Sequence, residues 1–298
     1  MGQPSRSQAS RAFSLESCIA NLLNPSLERL IKLCEILPHD FSVQQIHQSR
    51  ILIRTVNAHL DTFGPLLRSR ATKQVRTQLS WFDSSLAQLR NTDVILETLP
   101  LNLTPAALHN NDEDQFKIDL TNYLMARRDE QARKLCEELK SQRAESLVCA
   151  MGGLVSAVPV RRKVQLQSPE QQLALVLHCV SRAHTKLLKL AKKSRESPSQ
   201  KYLHQVRIQA KHVRYSSHAL QSQGLVVKKS TFKLADRLHP LLGRNQDLAM
   251  LESLLESQEN LSVSEERLRM QWLKHLRRES KKILRQYLHL VQKDLARR

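Results

Sequence analysis

Within one 14-residue stretch, Tyr202 to Tyr215, four basic side chains recur at helical spacing: His204, Arg207, Lys211 and Arg214, at i, i+3, i+7 and i+10. On a helix turning about 100° per residue they form one ridge, with charges about 5 Å apart along the axis. Val206, Ala210, Val213 and Leu220 form an apolar stripe beside it. His47, Arg50 and Arg54 repeat the spacing earlier in the chain. Such a ridge suits an extended anion, because each guanidinium can fork onto two oxygens and successive charges can meet successive phosphates. The competing reading is a solvated helix face. Against it, no acidic residue occurs between Leu203 and Val227, whereas a face kept for solubility mixes both signs.

Two further basic sets, Arg182, Lys186, Lys189 and Arg277, Arg278, Lys281, could line the same groove from neighbouring helices. Taken alone, each reads better as a solvated face. For His47 and His204 three roles compete: metal ligation, phosphate contact and packing. Neither helix has a Cys, Asp or Glu at ligand spacing, so no metal and no cofactor is expected. Asp93 and Asp247 close two similar phrases, Arg90-Asn-Thr-Asp93 and Arg244-Asn-Gln-Asp247. They are expected to cap turns or pair with Arg90 and Arg244 rather than to act as acid and base. No acidic metal cluster, nucleophile motif, GxxxxGK[ST] or GxGxxG accompanies them, so no catalytic residue is assigned.

The chain must supply rigid helices to hold these residues, and its composition does so. Of 298 residues, 41% are apolar, with only 6 Gly and 10 Pro, which excludes global disorder and favours helices. The net charge is +19. Residues 161–298 hold 29 Lys and Arg against 11 Asp and Glu, while the first 160 hold 18 against 17. The attraction for a polyanion is therefore concentrated in the C-terminal half. Five cysteines without CxxC spacing read as reduced thiols in a cytoplasmic protein. No apolar run reaches the ~20 residues that span a bilayer, so no membrane partner is expected. Aromatic content of 4% argues against single-strand stacking platforms, so RNA or DNA is the less favoured partner.

Periodicity and punctuation predict an all-α chain. A flexible tail is expected at residues 1–12, an N-terminal helical bundle at 13–151, a linker at 152–167 and a C-terminal bundle at 168–298. In the first bundle, helices are expected to break at Asn24-Pro25, Pro38 and Gly64-Pro65, with a polar loop from Pro100 to Asp114 and one helix from about Gln115 to Met151. Ser168 with Gln171, and Ser262 with Glu265, are expected capping boxes. His47 and His204 lie 157 residues apart and Asp93 and Asp247 lie 154 apart, so the same order of elements occurs twice. That pattern predicts an internal duplication into two four-helix bundles.

At these residues the sequence resembles the CHAD family, the conserved histidine α-helical domain. The family pattern is a His-x-x-Arg helix, a further basic-x-x-Arg-Tyr, and a downstream Leu-Gly-Arg-x-x-Asp, all present twice. Here it is matched by His204, Arg207, Lys211, Arg214 and Tyr215, then Leu242, Gly243, Arg244 and Asp247. His47, Arg50, Arg54, Arg90 and Asp93 match the first copy, in a resemblance running from about Phe13 to Leu295. The resemblance implies two bundles related by a pseudo-twofold axis, with a basic groove or pore between them that binds inorganic polyphosphate, and it favours phosphate contact for the histidines. It also implies association with polyphosphate granules and with partner proteins of phosphate metabolism. Many members are fused to a triphosphate-tunnel catalytic domain, which is not expected within these 298 residues. The first copy departs from the pattern at Thr55 and Asn57 and lacks Gly before Arg90. Accordingly, the C-terminal ridge is expected to hold the ligand harder.

Overall fold

The computed structural model describes residues 13–102, 111–259 and 261–296. The expected tail and residues 103–110 of the expected polar loop lie outside them. Ten α-helices and no strand occur among the described residues: α1 Leu15–Ile36, α2 Val43–Phe63, α3 Ser69–Asn102, α4 Asn111–Leu139, α5 Gln142–Ser156, α6 Arg162–Gln165, α7 Pro169–Glu196, α8 Gln200–Ser222, α9 Lys229–Glu256 and α10 Val263–Leu295. None is long and apolar enough to cross a membrane.

The boundaries follow local chemistry where side-chain caps are available. Ser168 and Gln171 form one reciprocal capping box and Ser262 and Glu265 the other. Gly224 closes α8 with φ of 77°, a left-handed conformation that glycine adopts without strain. Elsewhere tertiary packing overrides the breakers. α1 runs straight through Pro25, because Leu22 and Leu23 before it and Leu27 and Leu30 after it all bury on one stripe. That burial outweighs the ~3 kcal/mol a helix-interior proline costs. Gly152 and Gly153 belong to α5, whose Leu147, Met151 and Leu154 pack in the core; the ~1 kcal/mol per glycine is outweighed in the same way. The expected single helix over 115–151 is two, broken at Lys140-Ser141.

Successive helices pack on one another in the same order in both halves: α1 on α2, α2 on α3 and α3 on α4, then α7 on α8, α8 on α9 and α9 on α10. The first half has five long helices rather than four, since α4 and α5 stand where α10 is continuous. The halves meet through α2 and α8, and through α3 and α9. Both apolar clusters draw on the two halves. The larger contains Leu23, Ile53, Phe82, Leu187, Val213 and Tyr287, and the smaller joins Ile95, Phe116 and Leu124 to Leu251, Trp272 and Leu276. The segment between α5 and α7 is tied down as well, through an antiparallel bridge from Val160 to Leu67.

Candidate anion-binding site

The α2–α8 contact decides where the basic ridges point. Ser216 on α8 donates to Thr62 on α2 at 2.9 Å, and buried His59 on α2 reaches the Leu22 carbonyl on α1 at 3.1 Å. The first bond and the packing between α2 and α8 set these two helices side by side, the second holds α2 on α1, and the cationic faces of α2 and α8 converge. Arg50 and Lys211 are buried, at 6% and 9% exposure, and Arg54 and Arg207 are half-buried. α3 adds Asp83 and Arg90; α9 adds Asp247 and His239.

Charge is poorly balanced there. Arg50 donates to the Asp83 carbonyl at 3.1 Å and lies 3.6 Å from its carboxylate. Arg54 and Lys211 reach no carboxylate at ion-pair distance among the described residues, and the Arg207 Nε is buried without a hydrogen-bond partner. Burial first, then Arg54, Arg207 and Arg50, push the Lys211 ammonium down to about 7; Asp83 only partly opposes them. Burial and Arg54 likewise bring Arg50 down to about 10. His239 falls to about 4, through burial and then Lys211 and Arg214. Asp247 is raised by burial although Arg207, Arg90 and Lys211 face it. A desolvated set of like charges is what an anion would neutralise.

The sequence-predicted residues divide among several places. Arg50, Arg54, Arg207 and Lys211 form the cluster. Arg214 sits beside it but is engaged, with Asp236 at 3.3 Å and His239 at 3.5 Å. His47 is solvent-exposed at its edge, its pKa lowered by partial desolvation and then by Arg90. His204 is exposed beside Arg207, along a narrow crevice between α8 and α9. Arg182, Lys186 and Lys189 line a separate cleft against α7. Arg277 is held by Glu252 and Glu256 at 2.7 Å each, and Arg278 and Lys281 join it along an exposed groove on α10. Neither set completes the α2–α8 cluster. Asp83 and His239 were missed, and the sequence carries no signal for them: each sits a helix away from the ridge it touches.

With the geometry in place, the likeness to known proteins is plain. The family description "CHAD domain" matches residues 22–256. The chain belongs to the CHAD family. Among solved structures, the CHAD domain from the plant Ricinus communis has a TM-score of 0.68 at 20% identity, over 94% of this chain and 93% of that one. PptA from Streptomyces chartreusis has a TM-score of 0.75 at 16% identity, over 93% and 98%. Likeness at such identities concerns the fold. No curated protein matches the sequence.

The acidic residues of the CHAD motif have partners other than those expected. Asp93 is fully buried and pairs with Arg128 of α4 at 2.6 Å, while Arg90 forks onto Glu97 at 2.9 and 3.1 Å. Arg244 reaches Glu279 at 3.4 Å, leaving Asp247 to turn towards Arg207. The reason is geometric: neighbouring helices bring a basic group to Asp93 from α4 and an acidic one to Arg244 from α10. Arg128 also donates to the Phe41 carbonyl at 2.7 Å, so it ties α4 to both α3 and the loop before α2. Replacing Asp93 with Ala should destabilise the protein by about 3 kcal/mol, because it strands a half-buried guanidinium. Urea unfolding would measure that loss, and affinity for anions should not change.

Proposed function

We propose that this CHAD protein binds inorganic polyphosphate, without catalysing a reaction on it, in the cluster between α2 and α8. The observation that carries the reading is the company of Lys211: a buried ammonium beside Arg50, Arg54 and Arg207, with Asp83 the near carboxylate. A protein does not gain stability by holding such a set, since desolvated like charges repel. An anionic chain supplies the missing counter-charge, and unpaired Arg54, Arg207 and Lys211 are the groups it would meet first. The CHAD membership supports the same ligand. Polyphosphate has no base to read, which agrees with a site built chiefly from cations. Asp83 and Asp247 supply partial counter-charge to Lys211 and Arg207.

Titration with polyphosphates of graded length, alongside RNA at equal phosphate concentration, tests this. Binding should strengthen with chain length and weaken with salt. With about four phosphates contacted, log K should fall by roughly 3 per tenfold rise in salt. Displacement of bound polyphosphate by RNA would favour a nucleic-acid protein instead. Phosphate release in the presence of Mg²⁺, abolished by Asp247→Asn, would make the protein a phosphohydrolase.

A further inference from the structure

Outside that cluster, a cleft of about 650 Å³ lies between α7, α8 and the C-terminal end of α2. Its two ends differ chemically. Along one side, α7 presents Arg182, Lys186 and Lys189 at i, i+4 and i+7, all exposed and none ion-paired among the described residues. At the other stands Asp61, which pairs with Arg76 and lies 3.3 Å from His212 Nε2. The Asp61 side chain keeps 37% of its surface exposed, so its carboxylate has acceptor capacity left for a ligand. Lys186, His212 and Asp61 line this one cleft, so a small molecule seated in it can meet both ends. The size falls within the range of small-molecule sites.

A bare phosphate chain would suit only half of this cleft, because Asp61 repels it. A molecule with a phosphate at one end and hydroxyl groups at the other suits both. We propose that the cleft is a second binding site for a small phosphorylated, hydroxyl-bearing compound, a sugar phosphate or a nucleotide, with its phosphate on Arg182, Lys186 and Lys189 and a hydroxyl donating to Asp61. This assigns to a separate ligand the basic set that α7 carries, and it stands whether or not the α2–α8 cluster takes polyphosphate.

Calorimetric titration of the full chain with ribose 5-phosphate, AMP, ATP and tripolyphosphate decides the matter. At least one of the first three should bind saturably. The double variant K186Q/K189Q should weaken it tenfold or more, and R54Q/K211M should leave it within twofold. Asp61→Asn should weaken the hydroxyl-bearing ligand severalfold and leave tripolyphosphate unweakened. Equal affinity for ribose 5-phosphate and AMP would point to a sugar phosphate; tighter AMP or ATP would point to a nucleotide. Both would support the site. Absence of saturable binding by all three would overturn it. So would loss of binding in R54Q/K211M with none in K186Q/K189Q, since the ligand would then occupy the central cluster. Residues 186 and 189 are exposed, so a folded variant is expected, and thermal melting checks that.

Discussion

The double variant R207Q/K211M should lose polyphosphate affinity by 100-fold or more while becoming no less stable. Both side chains are desolvated, and neither is neutralised at ion-pair distance among the described residues, so a bound phosphate gains nearly the full value of each contact. Two charge-assisted contacts at about 1.5–3 kcal/mol each correspond to that loss or more. The matched variant R50Q/R54Q should lose less, about 10- to 30-fold. Arg50 already spends donors on Asp83, so only Arg54 is wholly available to the ligand. A length-matched titration of the two variants under one salt condition makes the comparison. Equal losses would show that the two ridges share the ligand evenly, against the expectation that α8 holds it harder. Stability separates loss of contact from loss of fold. Removing a buried unpaired ammonium relieves repulsion, so K211M should raise the unfolding midpoint.

Much of this site was legible in the sequence because it rests on helical spacing. Arg50, Arg54, Arg207 and Lys211 could be placed on two ridges without knowing what the ridges faced. That the ridges face each other depends on the α2–α8 contact, with Ser216 on Thr62, which periodicity does not encode. The same limit explains the misread partners. Arg90 and Asp93 are one turn apart in sequence, yet buried Asp93 finds Arg128 across a helix interface. Arg182, Lys186 and Lys189 share one helix face, as their spacing requires, but the cleft they line is not the one between the ridges. Pro25 and the Gly152-Gly153 pair marked breaks by propensity alone. Burial of Leu22, Leu27, Leu147 and Met151 carries the helices across them.

Polyphosphate binding should take up a proton at alkaline pH, and Lys211 is the group that accepts it. Free, its ammonium is pushed down to about 7 by burial and by Arg54, Arg207 and Arg50. A bound anion adds negative charge beside it and returns it towards the ordinary Lys value near 10.4. Below pH 7 both states hold the proton and affinity is flat. Between pH 7 and 9 only the complex holds it, so affinity should fall by close to tenfold per unit, up to about 100-fold. The stability of the free protein moves oppositely. The folded pKa lies below the unfolded one, so the unfolded chain binds more protons between about pH 7 and 10.5 and stability rises with pH across that window. His59 and His239, both brought down to about 4, produce a separate rise between pH 4 and 6.5. The groups facing Lys211 are Arg50, Arg54 and Asp83 across the α2–α3 side, with Arg207 and His212 on its own helix and His239 and Asp247 on α9. Of these, the free lysine is the one brought into the 7–9 range. K211M should therefore flatten the affinity profile between pH 7 and 9 and abolish the upper rise in stability, leaving the lower one intact. Binding titrations in buffers of different ionisation enthalpy, run with urea unfolding at pH 7 and 9, measure both. An unchanged slope in K211M would place the proton on another group.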